Sequence, residues 1–235
     1  MQKKLGIIGG MGPLATAVLF QRIIELTEAS CDQEHIRIFI DNNTNIPDRT
    51  LHLTKKEKDP FLEILASAYI LQNAGADLLI IPCNTAHFCY QKLQKEVRIP
   101  IISIIKSTVN EIINNPPLQD GLGLLGTKGL KAWNGYLDDF KNNNIACYEL
   151  NELEQEEVSF LINNIKKEGV SSKNILLFTN LITNLQKKGW KHFILACTEL
   201  ALMESKVQLD NIFINTIDLL AKEAILACGY KVRGK

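Results

Sequence analysis

Short, mostly apolar runs alternate along this chain with longer stretches in which apolar residues recur every three or four positions. The short runs Leu5–Gly9, His35–Ile40, Leu78–Ile81 and Pro100–Ile104 have the length and the isoleucine content of buried strands. The longer stretches predict helices from about Leu14 to Ala29 with Pro13 in the first turn, and from Asp59 and Pro60 through Leu71 with a stop at Gly75. Two more are predicted from Thr85 to about Glu96 and after Ile104 to about Asn114. Asp41–Thr50 is too rich in Asn, Asp and Thr to be anything but a loop, and long polar loops at strand ends gather ligand contacts. Asn114-Asn115-Pro116-Pro117 is the clearest break in the chain.

After the break the pattern restarts. Leu122–Gly129 matches Leu5–Gly12 in glycine placement and strand character, and Asn144–Glu149 reads as a short strand. Helices fill roughly 152–167 and 173–188, Gly189 leads into a strand ending at Cys197, Asn211–Asn215 echoes Pro100–Ile104, and a last helix runs from Ile217 to Cys228. Gly75 and Gly189 stand 114 positions apart, as do Cys83 and Cys197, so the two cysteine strands align without a gap. Strands alternating with helices give parallel sheets, and a repeated series gives two of them. The predicted fold is therefore α/β, with two pseudo-symmetric parallel-sheet domains. The division falls at 1–98 plus 208–235, carrying Cys83, and 99–207, carrying Cys197.

Composition narrows the function classes. With 46% hydrophobic residues in 235, the chain has ample material for buried cores. Its 26 basic and 26 acidic residues cancel, leaving no basic field to hold nucleic acid or an anionic membrane surface. No apolar run reaches the ~20 residues of a membrane span and the first residues do not read as a signal peptide, so a cytoplasmic location is expected. The six cysteines show no CxxC pair and no regular spacing, which predicts free thiols and no metal cluster. Cys31, Cys89, Cys147 and Cys228 read as buried packing residues.

Cys83 and Cys197 read differently, because each ends an apolar run and is followed by polar residues, Asn84-Thr85 and Thr198-Glu199. In an open parallel sheet the ligand crevice lies beyond the carboxyl ends of the strands. If those ends face each other, the two thiols lie across one cleft, and the helix starts that follow them lower a thiol pKa and supply donors for a carboxylate. Two thiols across a small anion describe a two-base proton exchange at the carbon beside a carboxylate. Gly9-Gly10-Met11-Gly12 fits neither GxGxxG nor GxxxxGK[ST], so a tight strand–helix turn explains it without a nucleotide. His87 is either a partner that supports a thiol or a satisfied helix residue, and His35, His52 and His192 read as structural or solvated.

At Gly9–Thr16, Asp32–His35, Ile46–Thr50, Pro82–His87 and Cys197–Glu199, in that order, the sequence resembles the cofactor-independent aspartate racemases of the aspartate/glutamate racemase superfamily. The resemblance implies two flavodoxin-like halves with the site between them. It also implies interconversion of L- and D-aspartate, with glutamate left open, no pyridoxal phosphate, no metal, and a homodimer. Carried over by position, Cys83 and Cys197 are the acid/base thiols, Cys197 serving the L-face and Cys83 the D-face. Asn84, Thr85, Thr198 and Glu199 hold the α-carboxylate and amino group of a dicarboxylic amino acid. Arg49 and Lys167 grip its second carboxylate, and a one-residue slip would exchange Lys167 for Lys166. Met11 and Thr127, in the two glycine turns, complete the substrate contacts. A hydantoin racemase or a maleate isomerase would keep paired cysteines without needing two cationic anchors, and a non-catalytic amino-acid-binding protein would need no thiol pair.

Overall fold

The computed structural model of the chain describes residues 2–207, 209 and 212–234. Asn211, expected to open the last strand, lies outside them, as do Met1, Gln208, Asp210 and Lys235. The first half alternates β1 (Leu5–Gly9), α1 (Pro13–Leu26), β2 (Ile38–Asn42), α2 (Arg49–Lys55), α3 (Phe61–Asn73), β3 (Leu78–Ile80), α4 (Tyr90–Glu96), β4 (Ile101–Ile102) and α5 (Ile104–Asn114). The second continues with β5 (Leu122–Leu125), α6 (Lys128–Trp133), α7 (Leu137–Asn142), α8 (Glu152–Glu168), α9 (Ser172–Gln186), β6 (His192–Leu195), α10 (Thr198–Ala201), β7 (Phe213–Asn215) and α11 (Thr216–Ala227).

The strands form two parallel sheets, one ordered β2-β1-β3-β4 and the other β5-β6-β7. The second has a rudimentary fourth member: Tyr148 bridges to Gly123, its N–H donating to the Leu122 carbonyl at 2.7 Å. The expected strand over Asn144–Glu149 is thus a single bridge, and with it the two sheets share one order. The repeat is visible in the backbone as well. Gly75 and Gly189, which end the helices before the two cysteine strands, have φ of +92° and +95°, a region that glycine enters without steric cost.

Sheet membership departs from the division expected at 98/99 and 207/208. β4 pairs with β3 and so belongs to the first sheet, while β7 pairs with β6 in the second. Each sheet keeps the strand that follows its cysteine segment, because that strand completes the ladder beside it. The helices after these strands, α5 and α11, pack against each other at the junction of the halves, and α11 also packs against α1. Alternation along β1 and β3 sends Leu5, Ile7, Leu78 and Ile80 into a core continuous with the second half, and Ile8 and Leu79 into a separate core beneath α3. One shared core therefore frames both sides of the junction.

Two local expectations change near the cleft. β2 runs on through Asp41 and Asn42, because the register with β1 continues to Gly9↔Asn42. The polar loop accordingly shrinks, and Arg49 opens a helix instead of lying in a loop. Asp48 starts that helix by accepting the Leu51 N–H at 2.8 Å.

Candidate active site

The carboxyl ends of β1, β3, β5 and β6 converge on a cleft. Its walls carry Met11, Arg49, Cys83, Asn84, Thr85, Thr127, Cys197, Thr198 and Glu199, together with Asp48, Thr50, Lys166 and Ala196. Cys83 and Cys197 come from equivalent places in the two halves and are both buried. Of the residues singled out above, Lys167 alone is missing from the lining, and Lys166 takes its place. The reason is helical phase. Lys166, though exposed, stands one turn after buried Ile162 and lines the cleft, whereas Lys167 stands one turn after exposed Asn163 and is absent from the lining. Lys166 is the alternative that a one-residue slip allows; Asp48, Thr50 and Ala196 carry no such signal, since nothing in their residue types separates them from neighbouring positions.

The rim closes through a contact between the halves. α2 packs on α6, and the Thr85 and Thr127 hydroxyls meet across the junction at 2.8 Å. Gly129 permits that approach, since a Cβ there would stand 2.8 Å from Thr50 Cα and 3.0 Å from Thr85 Cγ2. Arg49 is oriented by backbone carbonyls, donating from Nη1 to Pro47 at 2.9 Å and to Ile46 at 3.3 Å, and from Nη2 to Met11 at 3.4 Å. Its Nε is buried with no protein acceptor. Neither Arg49 nor Lys166 is paired with a carboxylate among the described residues.

The thiol environments are unequal. Cys197 Sγ donates to Glu199 Oε2 at 3.0 Å, and the Thr198 hydroxyl donates to the same oxygen at 3.3 Å. Burial, and then the Glu199 carboxylate, push the Cys197 thiol well above its ordinary range, with Lys166 pulling the other way. The helix start expected to lower this pKa is overruled: α10 is a single turn of four residues, too short to offset burial beside an anion. In the resting protein Cys197 therefore carries its proton. Cys89 and Cys228 are buried as expected and Cys147, partly covered, packs against the main core, but Cys31 is exposed and packs no core. Among the described residues no three or more His, Cys, Asp and Glu side chains converge as a metal site would require.

A sequence model of the Asp/Glu/Hydantoin racemase family matches residues 8–224. The chain belongs to this family. Over 227 residues, 94% of this chain and 96% of the relative, it is 25% identical to the broad specificity amino-acid racemase RacX of Bacillus subtilis (strain 168). It superposes on the Picrophilus torridus aspartate racemase with a TM-score of 0.87 at 25% identity, covering 98% of this chain and 96% of that one. Glutamate racemase from Francisella tularensis, solved in complex with D-glutamate, shares the fold at a TM-score of 0.71 and 17% identity, over 100% of this chain and 85% of that one. Membership of this family supports an amino-acid racemase.

Behind the cleft, outside its lining, His87 resolves the alternatives left open for it. Its Nδ1 lies 2.9 Å from the Cys83 carbonyl and its Nε2 accepts the Ile104 N–H at 3.2 Å, so Nδ1 carries the proton and the ring is neutral. It supports the Cys83 segment through the backbone and does not touch the thiol. Burial pushes its pKa down to about 4, against the weaker upward effect of the Cys83 carbonyl. An unfolded chain takes up this proton near pH 6.5, whereas the folded one refuses it until about pH 4. Stability from this residue is thus intact above pH 6.5 and declines as pH falls from there toward 4. Urea unfolding at pH 7 and pH 5 should show wild type losing roughly 2 kcal/mol more than His87→Gln. Equal losses in the two proteins would deny the buried neutral ring.

Proposed function

We propose that this chain interconverts L- and D-aspartate by two-base proton exchange at the α-carbon, without a cofactor. The observation that carries the reading is that Cys83 and Cys197, one from each half, line a single cleft together with two cations that form no salt bridge among the described residues. In one direction Cys83 as thiolate removes the α-proton while Cys197, already protonated beside Glu199, delivers its own to the opposite face. In the other direction the two sulfurs exchange roles, and Glu199 stands in contact to hold the displaced proton. Arg49 and Lys166 supply positive charge for the side-chain carboxylate of a dicarboxylic amino acid. Incubating L-aspartate with dialysed, chelator-treated protein and resolving the enantiomers tests this: D-aspartate should accumulate to an equal mixture. No turnover until pyridoxal phosphate or a metal is restored would refute the reading.

A second reading, racemisation of amino acids with neutral side chains, is favoured by one feature of the cleft. Three of Arg49's hydrogen bonds go to backbone carbonyls, which is how a residue that shapes a loop behaves. Comparing kcat/KM for aspartate with that for alanine and serine separates the two, because a dicarboxylate site favours aspartate by the strength of the side-chain contact.

A further inference from the structure

Behind the cleft a chain of buried hydrogen bonds joins the segments that carry the two thiols. The Tyr136 hydroxyl lies 2.6 Å from Asn84 Oδ1, Asn84 Nδ2 lies 3.2 Å from Thr216 Oγ1, and Thr216 Oγ1 lies 2.9 Å from the Leu195 carbonyl. Asn84 directly follows Cys83, and Leu195 stands two residues before Cys197. Tyr136, Thr216 and Leu195 are 0% exposed and Asn84 2%, so water offers none of these groups a substitute partner.

The direction of every proton in this chain follows from its last member. A carbonyl only accepts, so the Thr216 hydroxyl must donate to Leu195 and its oxygen must accept from Asn84. That places the amide NH2 of Asn84 toward Thr216 and its oxygen toward Tyr136, whose single proton must then be donated to it. The nearby Thr108 hydroxyl, 3.5 Å from the phenol oxygen, already donates to the Ile104 carbonyl at 2.8 Å and leaves this order undisturbed. One N–H of the Asn84 amide remains uncommitted, on a residue that lines the cleft.

We infer that Tyr136 is a positioning residue for the thiol pair: its hydroxyl fixes the Asn84 amide and, through Thr216, the spacing of the Cys83 and Cys197 segments. The inference rests on the racemase reading above. Tyr136 lies in the second half, immediately before α7, and among the described residues its hydroxyl hydrogen-bonds to no side chain lining the cleft but Asn84. Its role is to favour the one register of the two halves in which this chain of buried hydrogen bonds is complete. Burial keeps the phenol protonated at any working pH, so the donor is permanent.

The test uses Tyr136→Phe, which removes one oxygen and keeps the ring, and Thr216→Val, which breaks the same chain from its other end. Tyr69→Phe, which deletes a surface hydroxyl bonded to the Glu96 carbonyl, is the control. With aspartate in D2O, both network variants should show kcat reduced about 10- to 100-fold with KM changed less. They should also place more deuterium in recovered substrate relative to product, because a misplaced second thiol lets the carbanion be reprotonated on the face it came from. A general loss of folded protein would lower the rate without moving that ratio. Tyr69→Phe should match wild type in both. Network variants with wild-type rate and ratio would overturn the inference, as would variants that fail to fold, which assigns the hydrogen bonds to stability alone. Wild-type protein inactive on aspartate would instead refute the substrate assignment.

Discussion

Replacing either Cys83 or Cys197 by serine should abolish net racemisation of aspartate in both directions. A serine hydroxyl is too weak an acid to rest as the conjugate base, and a positioned acid or base contributes ~10²–10⁴-fold. The loss must appear equally in both directions, because enantiomers have equal free energy and every variant must keep the two kcat/KM values equal. Partial reactions are not bound by that equality. A variant retaining one sulfur can still exchange the α-proton of the enantiomer that faces it. On the handedness adopted here, Cys83→Ser keeps slow exchange on L-aspartate and Cys197→Ser on D-aspartate. Cys89→Ser serves as control: its thiol is buried, is pushed up to about 12 chiefly by burial, and donates to the Ala86 carbonyl away from the cleft. Substantial racemisation in either single active-site variant would show that the thiols are not the acid–base pair.

Arg49→Ala and Lys166→Ala should each lower kcat/KM for aspartate by roughly one to two powers of ten, the equivalent of one charge-assisted hydrogen bond of ~1.5–3 kcal/mol. Lys167→Ala should change little, since that side chain is turned to solvent by the phase of α8. Alanine as substrate should be indifferent to both cleft substitutions, because it offers no second carboxylate. Steady-state kinetics of the three variants on both substrates read the outcome. An Arg49→Ala enzyme with unchanged aspartate kinetics would return Arg49 to a loop-shaping role and favour the broader substrate range.

The repeat made most of the architecture legible in the sequence. Gapless alignment of the two cysteine strands predicted two parallel sheets, and it brought Cys83 and Cys197 to equivalent strand ends, where the structure has them share a cleft. Pairing was less legible than existence. Ile101–Ile102 and Phe213–Asn215 are strands too short for their own pattern to say which sheet takes them, and only the ladder beside β3 and β6 decides it. Helical phase decides between Lys166 and Lys167, because two adjacent lysines at the end of α8 are distinguishable only by the residues one turn earlier. The protonation of Cys197 lay beyond the sequence altogether. It depends on burial first and then on Glu199, two residues on, whose carboxylate meets the thiol. Tyr136 carried no signal for a related reason: its partner is 52 positions away and in the other half.

Mass spectrometry of both enantiomers from a single early time point, with wild-type protein and L-aspartate in D2O, examines the two-thiol exchange itself. The D-aspartate formed should carry deuterium at the α-carbon in every molecule, while the remaining L-aspartate stays almost unlabelled, because the proton leaves to one sulfur and its replacement arrives from the other. D-aspartate that retains the original α-hydrogen, or deuterium appearing equally in both enantiomers from the outset, would mean that one group serves both faces and would contradict the mechanism.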